Sequence, residues 1–512
     1  MRRLSPWRVM LGLLIVAGVV VGSAYAGQRW LAERSAAVHK PWFAAYVDVT
    51  ASPRFAFEQL GATANREAVL SFVVALPQAD CTPSWGGAYT MAQANASLDL
   101  DRRIERLRQQ DGDVAVSFGG LKNSELAVSC TDPTKLKAAY ASVINQYDIS
   151  TIDLDLEQSG LTDAEAGARR ATAIAKLQAE RRAAGKPLAV WVTLPATPQG
   201  LSEDGTNAVA QLLAKGVDLA GVNVMTMDYG QSLEKGQSMQ TASEKALTGV
   251  QRQLGVLYQR AGIQLSSATL WSKIGATPMI GQNDEAEEVL TPEDAKGLNA
   301  FASSHKLGRM SMWSANRDLE CSGNYVDVKV VSDSCSGVKQ GKGDYAASLS
   351  TGFNGSLSQN AGVVTSPDAT AAAQKPDDPA TSPYQIWSTA GAYLQGTKVV
   401  WHHNVYSAKW WTQGDLPDNP VLQAWQTPWE LVGPVLPGEK PVPQLTLPAG
   451  TYPDWAGTTP YNTGDRVLFS GVPYQAKWWN TGASPAAASS NADSSPWVPL
   501  TQAQINEVGT AR

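Results

Sequence analysis

Residues 151–157 read Thr-Ile-Asp-Leu-Asp-Leu-Glu. Carboxylates and aliphatic residues alternate at a spacing of two, the period of a β-strand, so Asp153, Asp155 and Glu157 share one face of that strand. On an exposed antiparallel strand the three acids would be an ordinary polar face. Which reading applies depends on the sheet around them. Counting this one, eight short runs rich in β-branched and aromatic residues recur at 42–50, 69–76, 113–120, 151–157, 188–196, 220–230, 273–281 and 308–315. Longer stretches of helical spacing separate them, such as the Ala-, Arg- and Glu-rich segment Asp163–Ala184. Near-continuous apolar strands alternating with helices imply a parallel sheet covered on both faces. Eight such units predict an α/β fold, a (β/α)8 TIM barrel, over residues 41–340, with a doubly wound open sheet as the alternative.

Inside a barrel, three carboxylates on the inner face are costly to ionise. Crowding raises at least one of their pKa values, and Glu157 stands at the C-terminal end of its strand, where barrel active sites lie. Glu157 therefore reads as a proton donor held neutral by its neighbours.

The remaining composition narrows the function. The 512 residues imply two to four domains at roughly 100–200 residues each. With 41 Lys and Arg against 47 Asp and Glu, the chain has no basic footprint, and nucleic acid is not an expected partner. Four His and four Cys leave little for metal chemistry, and no metal or cofactor is expected. The N-terminal segment has Arg2, Arg3 and Arg8, an apolar run from Val9 to Val21, and an Ala-Tyr-Ala stretch ending at Ala26. It reads as a cleaved signal peptide over 1–26 or, alternatively, as an uncleaved membrane anchor over 9–26, with residues 27–40 as linker. Either way an extracytoplasmic location is expected, with pairing of Cys81 to Cys130 and Cys321 to Cys335 favoured among three connectivities.

Residues 341–383, dominated by Gly, Ser, Ala, Thr, Asp and Pro, read as linker. Beyond them the chain repeats at an offset of 68: Trp387, Tyr393, Tyr406, Trp410, Trp411 and Trp429 recur as Trp455, Tyr461, Tyr474, Trp478, Trp479 and Trp497. Two small all-β modules, 384–432 and 451–500, are expected around a Pro-rich linker at 433–450, each a minimal three-stranded sheet over an aromatic core. Ten of the 17 Trp lie after residue 383, which asks for a surface role as well as a core one.

Four motifs carry a family resemblance. Residues 150–157 resemble the Asp-Gly-x-Asp-x-Asp-x-Glu signature of glycoside hydrolase family 18, the retaining chitinases, with Ser150 and Thr151 replacing its first two residues. Ser117-Phe-Gly-Gly resembles its Ser-x-Gly-Gly motif, Met225-Thr-Met-Asp228-Tyr229 its Met-x-Tyr-Asp element, and Trp313 the Trp at the floor of its sugar site. The resemblance implies substrate-assisted hydrolysis of chitin and chito-oligosaccharides. Glu157 would protonate the glycosidic oxygen, and the 2-acetamido carbonyl would be the nucleophile. Asp155 would orient the acetamido N–H, and Asp153, helped by Ser117, would share its proton and charge. Asp228 matches the family's Asp, whereas Met227 stands where its Tyr would be, which leaves open whether Tyr229 holds the acetamido oxygen. Trp85, on a loop at the same mouth, reads equally as a stacking residue or a disulfide-tethered core residue. A non-catalytic chitin-binding barrel and an endo-β-N-acetylglucosaminidase are the alternative functions.

The repeated modules resemble chitin-binding modules of carbohydrate-binding families 5 and 12, marked by Tyr-x-Ala-Lys-Trp-Trp at 406–411 and 474–479. Adjacent Trp on a strand face opposite ways, so one of each pair, Trp410 or Trp411 and Trp478 or Trp479, would be core and the other exposed. The resemblance favours Trp411 and Trp479 as the exposed ones. A monomer is expected.

Overall fold

A computed structural model describes residues 40–62, 66–323, 330–366, 376–440, 445–485, 495–501 and 504–505. The expected leader or anchor at 1–26 and nearly all of the linker at 27–40 lie outside the described residues. Two compact units divide between Ala369 and Thr370.

The first unit holds eight barrel strands: β1 in two segments, Trp42–Phe43 and Ala45–Asp48, then β2 Glu67–Leu76, β3 Asp113–Gly119, β4 Thr151–Asp155, β5 Ala189–Thr197, β6 Leu219–Met225, β7 Ile274–Thr277 and β8 Arg309–Met310. Each pairs in parallel with the next. Trp42 lies opposite Arg309, so β8 pairs with β1 and closes the ring. This closure selects the barrel over the open sheet, and the eight apolar runs are its eight strands. The expected helix over Asp163–Ala184 is Ala164–Ala183, with the Asp163 carboxylate accepting from the amides of Glu165 and Ala166. After β1 the outer layer is a short 3-10 turn, Phe57–Ala62, rather than an α-helix. Disulfides join Cys81 to Cys130 and Cys321 to Cys335.

Residues 341–366 are not linker. Helices Asp344–Leu349 and Leu357–Asn360 pack on the barrel. Tyr345 donates to the Leu290 carbonyl at 2.5 Å, and Leu357 joins the core with Trp42, Tyr46 and Trp191. Buried Tyr345, Leu349, Phe353 and Leu357 recur every four residues, an apolar period hidden among small and polar neighbours.

In the second unit, strands Lys398–Trp401, Asn404–Ala408 and Trp429–Pro434 form one antiparallel sheet. Arg466–Phe469, Val472–Ala476 and Trp497–Pro499 form its counterpart. Trp387, Tyr393, Tyr406 and Trp429 fill the first core, and Tyr461, Tyr474 and Trp497 with half-buried Trp455 fill the second. The first copy reaches beyond its expected edges: Asp377 accepts from the amides of His402 and His403, and the last strand runs to Pro434.

Candidate active site

The alternation read from β4 holds in three dimensions. Ile152, Leu154 and Leu156 are fully buried on the outer face, while Asp153 and Asp155 occupy the inner one. Glu157 follows the strand in extended backbone, half-buried, immediately before the short helix Gln158–Thr162. The three carboxylates thus form a row rising from the barrel centre to its C-terminal mouth.

Asp153, at the foot of the row, is saturated with donors. Tyr46 Oη and Ser117 Oγ donate to Oδ2 at 2.8 and 2.7 Å. Thr193 Oγ1 and Arg309 Nη1 donate to Oδ1, both at 2.6 Å. The Arg309 guanidinium is equally buried and lies 5.1, 5.3 and 5.6 Å from the ring centroids of Trp42, Tyr46 and Trp191. Asn223 continues the polar layer, donating to Thr193 at 3.0 Å and Thr277 at 2.7 Å. Two oxygens offer about four lone-pair sites, and four donors take them. The proton sharing with Asp155 expected from the sequence therefore finds no free lone pair on Asp153.

Asp155 differs in kind. It is buried, and its Oδ1 has no hydrogen-bond partner. Burial above all, then the carboxylates of Glu157 and Asp153, push its pKa well above the usual carboxylate range, with Arg309 opposing. Glu157 is pushed up to about 7, first by burial and then by Asp228 and Asp284. Asp228, which accepts from the Asp284 amide at 2.9 Å, is raised to about 6 by burial and by Asp284. Glu157 thus populates both its protonated and ionised forms near neutrality. Partial desolvation is the main cause, and the foremost repelling neighbours come from the loops after β6 and β7 rather than from its own strand.

Other expected residues separate into those near the acids and those elsewhere. Trp313, half-buried, stacks on Phe72 at 5.5 Å between centroids and meets Tyr46 at 6.2 Å, an aromatic floor beside the acids. Half-buried Met225 ends β6 two residues beyond Asn223 of the polar layer. Tyr229 is not placed to hold a substrate: its hydroxyl meets Ser243 Oγ at 3.3 Å on the outer helix Met239–Arg260, and its ring is buried. Positive φ at Asp228 turns the chain there, so Asp228 and the next side chain part company. Trp85 is a core residue, fully buried and donating to Tyr147 Oη at 3.0 Å. Sequence reasoning missed Tyr46, Phe72, Thr193, Asn223, Asp284 and Arg309. Of these, only Arg309 carried a signal, as a charge within an apolar run. Among the described residues, no His, Cys, Asp or Glu side chains are grouped so as to hold a metal ion.

In the small modules both members of each Trp pair are exposed: Trp410 44%, Trp411 56%, Trp478 44% and Trp479 61%. The second is the more exposed in each, as favoured, but the first is not core. The pairs follow their strands, in bends beyond Ala408 and Ala476, so strand alternation does not govern them. Lys409 and Lys477 ammonium groups instead lie 4.7 and 4.6 Å from the Trp410 and Trp478 ring centroids.

Comparison with known proteins agrees with this layout. Residues 454–498 match carbohydrate-binding module family 5/12. The chain is 35% identical over 329 residues to a probable bifunctional chitinase/lysozyme of Escherichia coli (strain K12), covering 62% of this chain and 34% of that protein. It is 34% identical over 326 residues to Endochitinase 11 of Metarhizium anisopliae, covering 62% and 58%. The catalytic domain of a hyperthermophilic chitinase from Pyrococcus furiosus superposes with a TM-score of 0.53 at 26% identity, covering 63% of this chain and 96% of that one. The chain therefore spans 34% and 58% of the lengths of the two sequence relatives. Over its barrel the chain is thus similar to chitinases, and near its C-terminal end it matches a family 5/12 carbohydrate-binding module.

Proposed function

We propose that this chain is a chitinase, hydrolysing β-1,4-linked N-acetylglucosamine polymers and their oligosaccharides by a substrate-assisted, retaining route. The observation that carries the proposal is the pairing of a Glu157 acid raised to about 7 with a buried Asp155 oxygen that has no hydrogen-bond partner. Glu157 delivers its proton to the glycosidic oxygen as that bond breaks. The substrate's acetamido carbonyl oxygen attacks the anomeric carbon from the other side, forming an oxazolinium ion. Asp155 Oδ1 accepts the acetamido N–H, aiming the carbonyl at the anomeric carbon. Water then opens the intermediate, with Glu157 carboxylate taking its proton. Asp153, fixed by Arg309 and three hydroxyls, lies beneath Asp155 and undergoes no step itself. The Trp313–Phe72 stack gives the sugar an apolar floor.

The two modules present exposed indoles to insoluble chitin and hold the barrel at its surface. We place the protein outside the cytoplasm, released or held by its N-terminal segment; the two disulfides support an oxidising compartment. Release of reducing ends from colloidal chitin by the wild type and by Glu157→Gln tests the assignment. A folded Glu157→Gln protein should turn over 10²-fold to 10⁴-fold more slowly. Near-normal turnover would remove Glu157 from the mechanism. Fully deacetylated chitosan should resist cleavage, because it lacks the nucleophile.

A further inference from the structure

The two small modules share a fold but differ at one position. Trp425, in the first, is 70% exposed, more than any other Trp side chain among the described residues. At the repeat offset of 68 it aligns with Asp493, so the second module has no counterpart in sequence. The indole is not on a loose loop. It sits in the 3-10 turn Ala424–Gln426, where Gln423 and Gln426 cap each other reciprocally and the Gln423 amide donates to Gln426 Oε1 at 3.0 Å. Lys409 joins this turn to the Trp pair: its ammonium donates to the Ala424 carbonyl while lying 4.7 Å from the Trp410 ring centroid. A single ammonium therefore separates Trp410 from the backbone that carries Trp425.

We infer that Trp425 is a third saccharide-stacking residue, giving the first module a longer platform, with Trp410 and Trp411, for N-acetylglucosamine chains than the second module has. The inference rests on the reading that these modules bind chitin. An indole held out by a capped turn loses little conformational freedom on binding, which suits a flat apolar ligand face. Gln423, Gln426 and Thr427 on either side of it are polar, so the exposed ring is bordered by hydrogen-bonding groups. Three exposed indoles on so small a module exceed the scattered apolar exposure of an ordinary surface. One lost stack corresponds to roughly a three- to ten-fold weaker association.

Adsorption isotherms of the full chain on insoluble chitin test this. Trp425→Ala should weaken adsorption roughly three- to ten-fold in a Trp479→Ala background, where the first module carries the binding. Trp425→Phe should retain most of it, and hydrolysis of short soluble chito-oligosaccharides should stay at the wild-type rate in both. Adsorption of Trp425→Ala equal to its Trp479→Ala parent, while Trp411→Ala and Trp479→Ala each weaken binding, would overturn the third stacking site and leave the modules' reading intact. Equal losses in Trp425→Ala and Trp425→Phe would also overturn it, since stacking on a ring would then not be the cause. A wild type that does not adsorb would overturn both.

Discussion

Removing the Arg309 guanidinium should expose how much the barrel depends on the charge pair at its centre. Both side chains of the Arg309–Asp153 pair are 1% exposed, with nitrogen and oxygen 2.6 Å apart. Arg309→Met keeps much of the apolar volume but leaves Asp153 with three neutral donors, Tyr46, Ser117 and Thr193, and no counter-ion. Breaking one half of such a pair costs about 3–5 kcal/mol, because the remaining charge stays buried. The guanidinium's contacts with Trp42, Tyr46 and Trp191 add to the loss. Amide hydrogen exchange of peptides from β4 and β8 reads this directly. At about 3–5 kcal/mol, exchange through global opening should speed up by roughly a hundredfold to a few thousandfold. Adding Asp153→Asn removes the orphaned charge, so the double variant should recover a large part of the protection. Exchange in Arg309→Met within about threefold of wild type, or a double variant no better protected than the single, would refute the reasoning, because the pair would then be electrostatically idle.

Further outcomes follow from the same geometry. If Glu157 acts as the proposed acid, activity should fall as pH rises through about 7, and Asp228→Asn, which removes a repelling carboxylate, should move that alkaline limb to lower pH. Folded-state pKa values raised at Glu157 to about 7 and Asp228 to about 6 mean that the folded barrel binds more protons than the unfolded chain. Their contribution to stability is present at acid pH and lost as pH rises through those values; Glu157→Gln should flatten that slope in chemical denaturation. Tyr229→Phe, which loses only a 3.3 Å contact with Ser243, should leave turnover on soluble oligosaccharides within a factor of a few, checked by steady-state kinetics. Ending the chain between residues 366 and 376 should lower hydrolysis of insoluble chitin while sparing short soluble oligosaccharides. Equal losses on both would mean that the modules serve the barrel rather than the substrate surface.

The fold was legible because a parallel barrel writes each strand as an apolar run, and the runs at 42–50 and 308–315 were visible although their partners lie at opposite ends of the unit. The acids were legible because Asp153, Asp155 and Glu157 sit on one strand with a period of two. Their environment was not. The four donors to Asp153 come from β1, β3, β5 and β8, separated from it by 107, 36, 40 and 156 residues, and only Ser117 lay in a readable motif. Tyr229 misled because a positive φ at Asp228 breaks the alternation that a linear reading extends. The paired Trp misled for a related reason, since strand periodicity stops at Ala408 and Ala476. Composition concealed the helices after residue 341, where four apolar residues sufficed to anchor a segment of small ones.

These differences bear on how one strand can carry acids with different duties. The proposed chemistry asks for one carboxylate that stays fixed, one that receives an N–H, and one that gives and retakes a proton. Carboxylates two residues apart meet those demands only if their surroundings diverge. Depth in the barrel supplies the divergence. At the centre, neighbouring strands converge, and Asp153 can be reached by four donors at once, its counter-ion Arg309 among them. One step up, Asp155 remains buried but keeps an oxygen without a partner, so its burial is uncompensated and its proton affinity rises. At the mouth, loops replace strands, and Glu157 is only half-buried and faces Asp228 and Asp284, which holds its pKa near the working range rather than far above it. Moving the same three residues by one position along β4 would place them against the outer helices and lose all three environments together. The period of two and the strand's register in the barrel are therefore as much a part of the site as the carboxylates themselves.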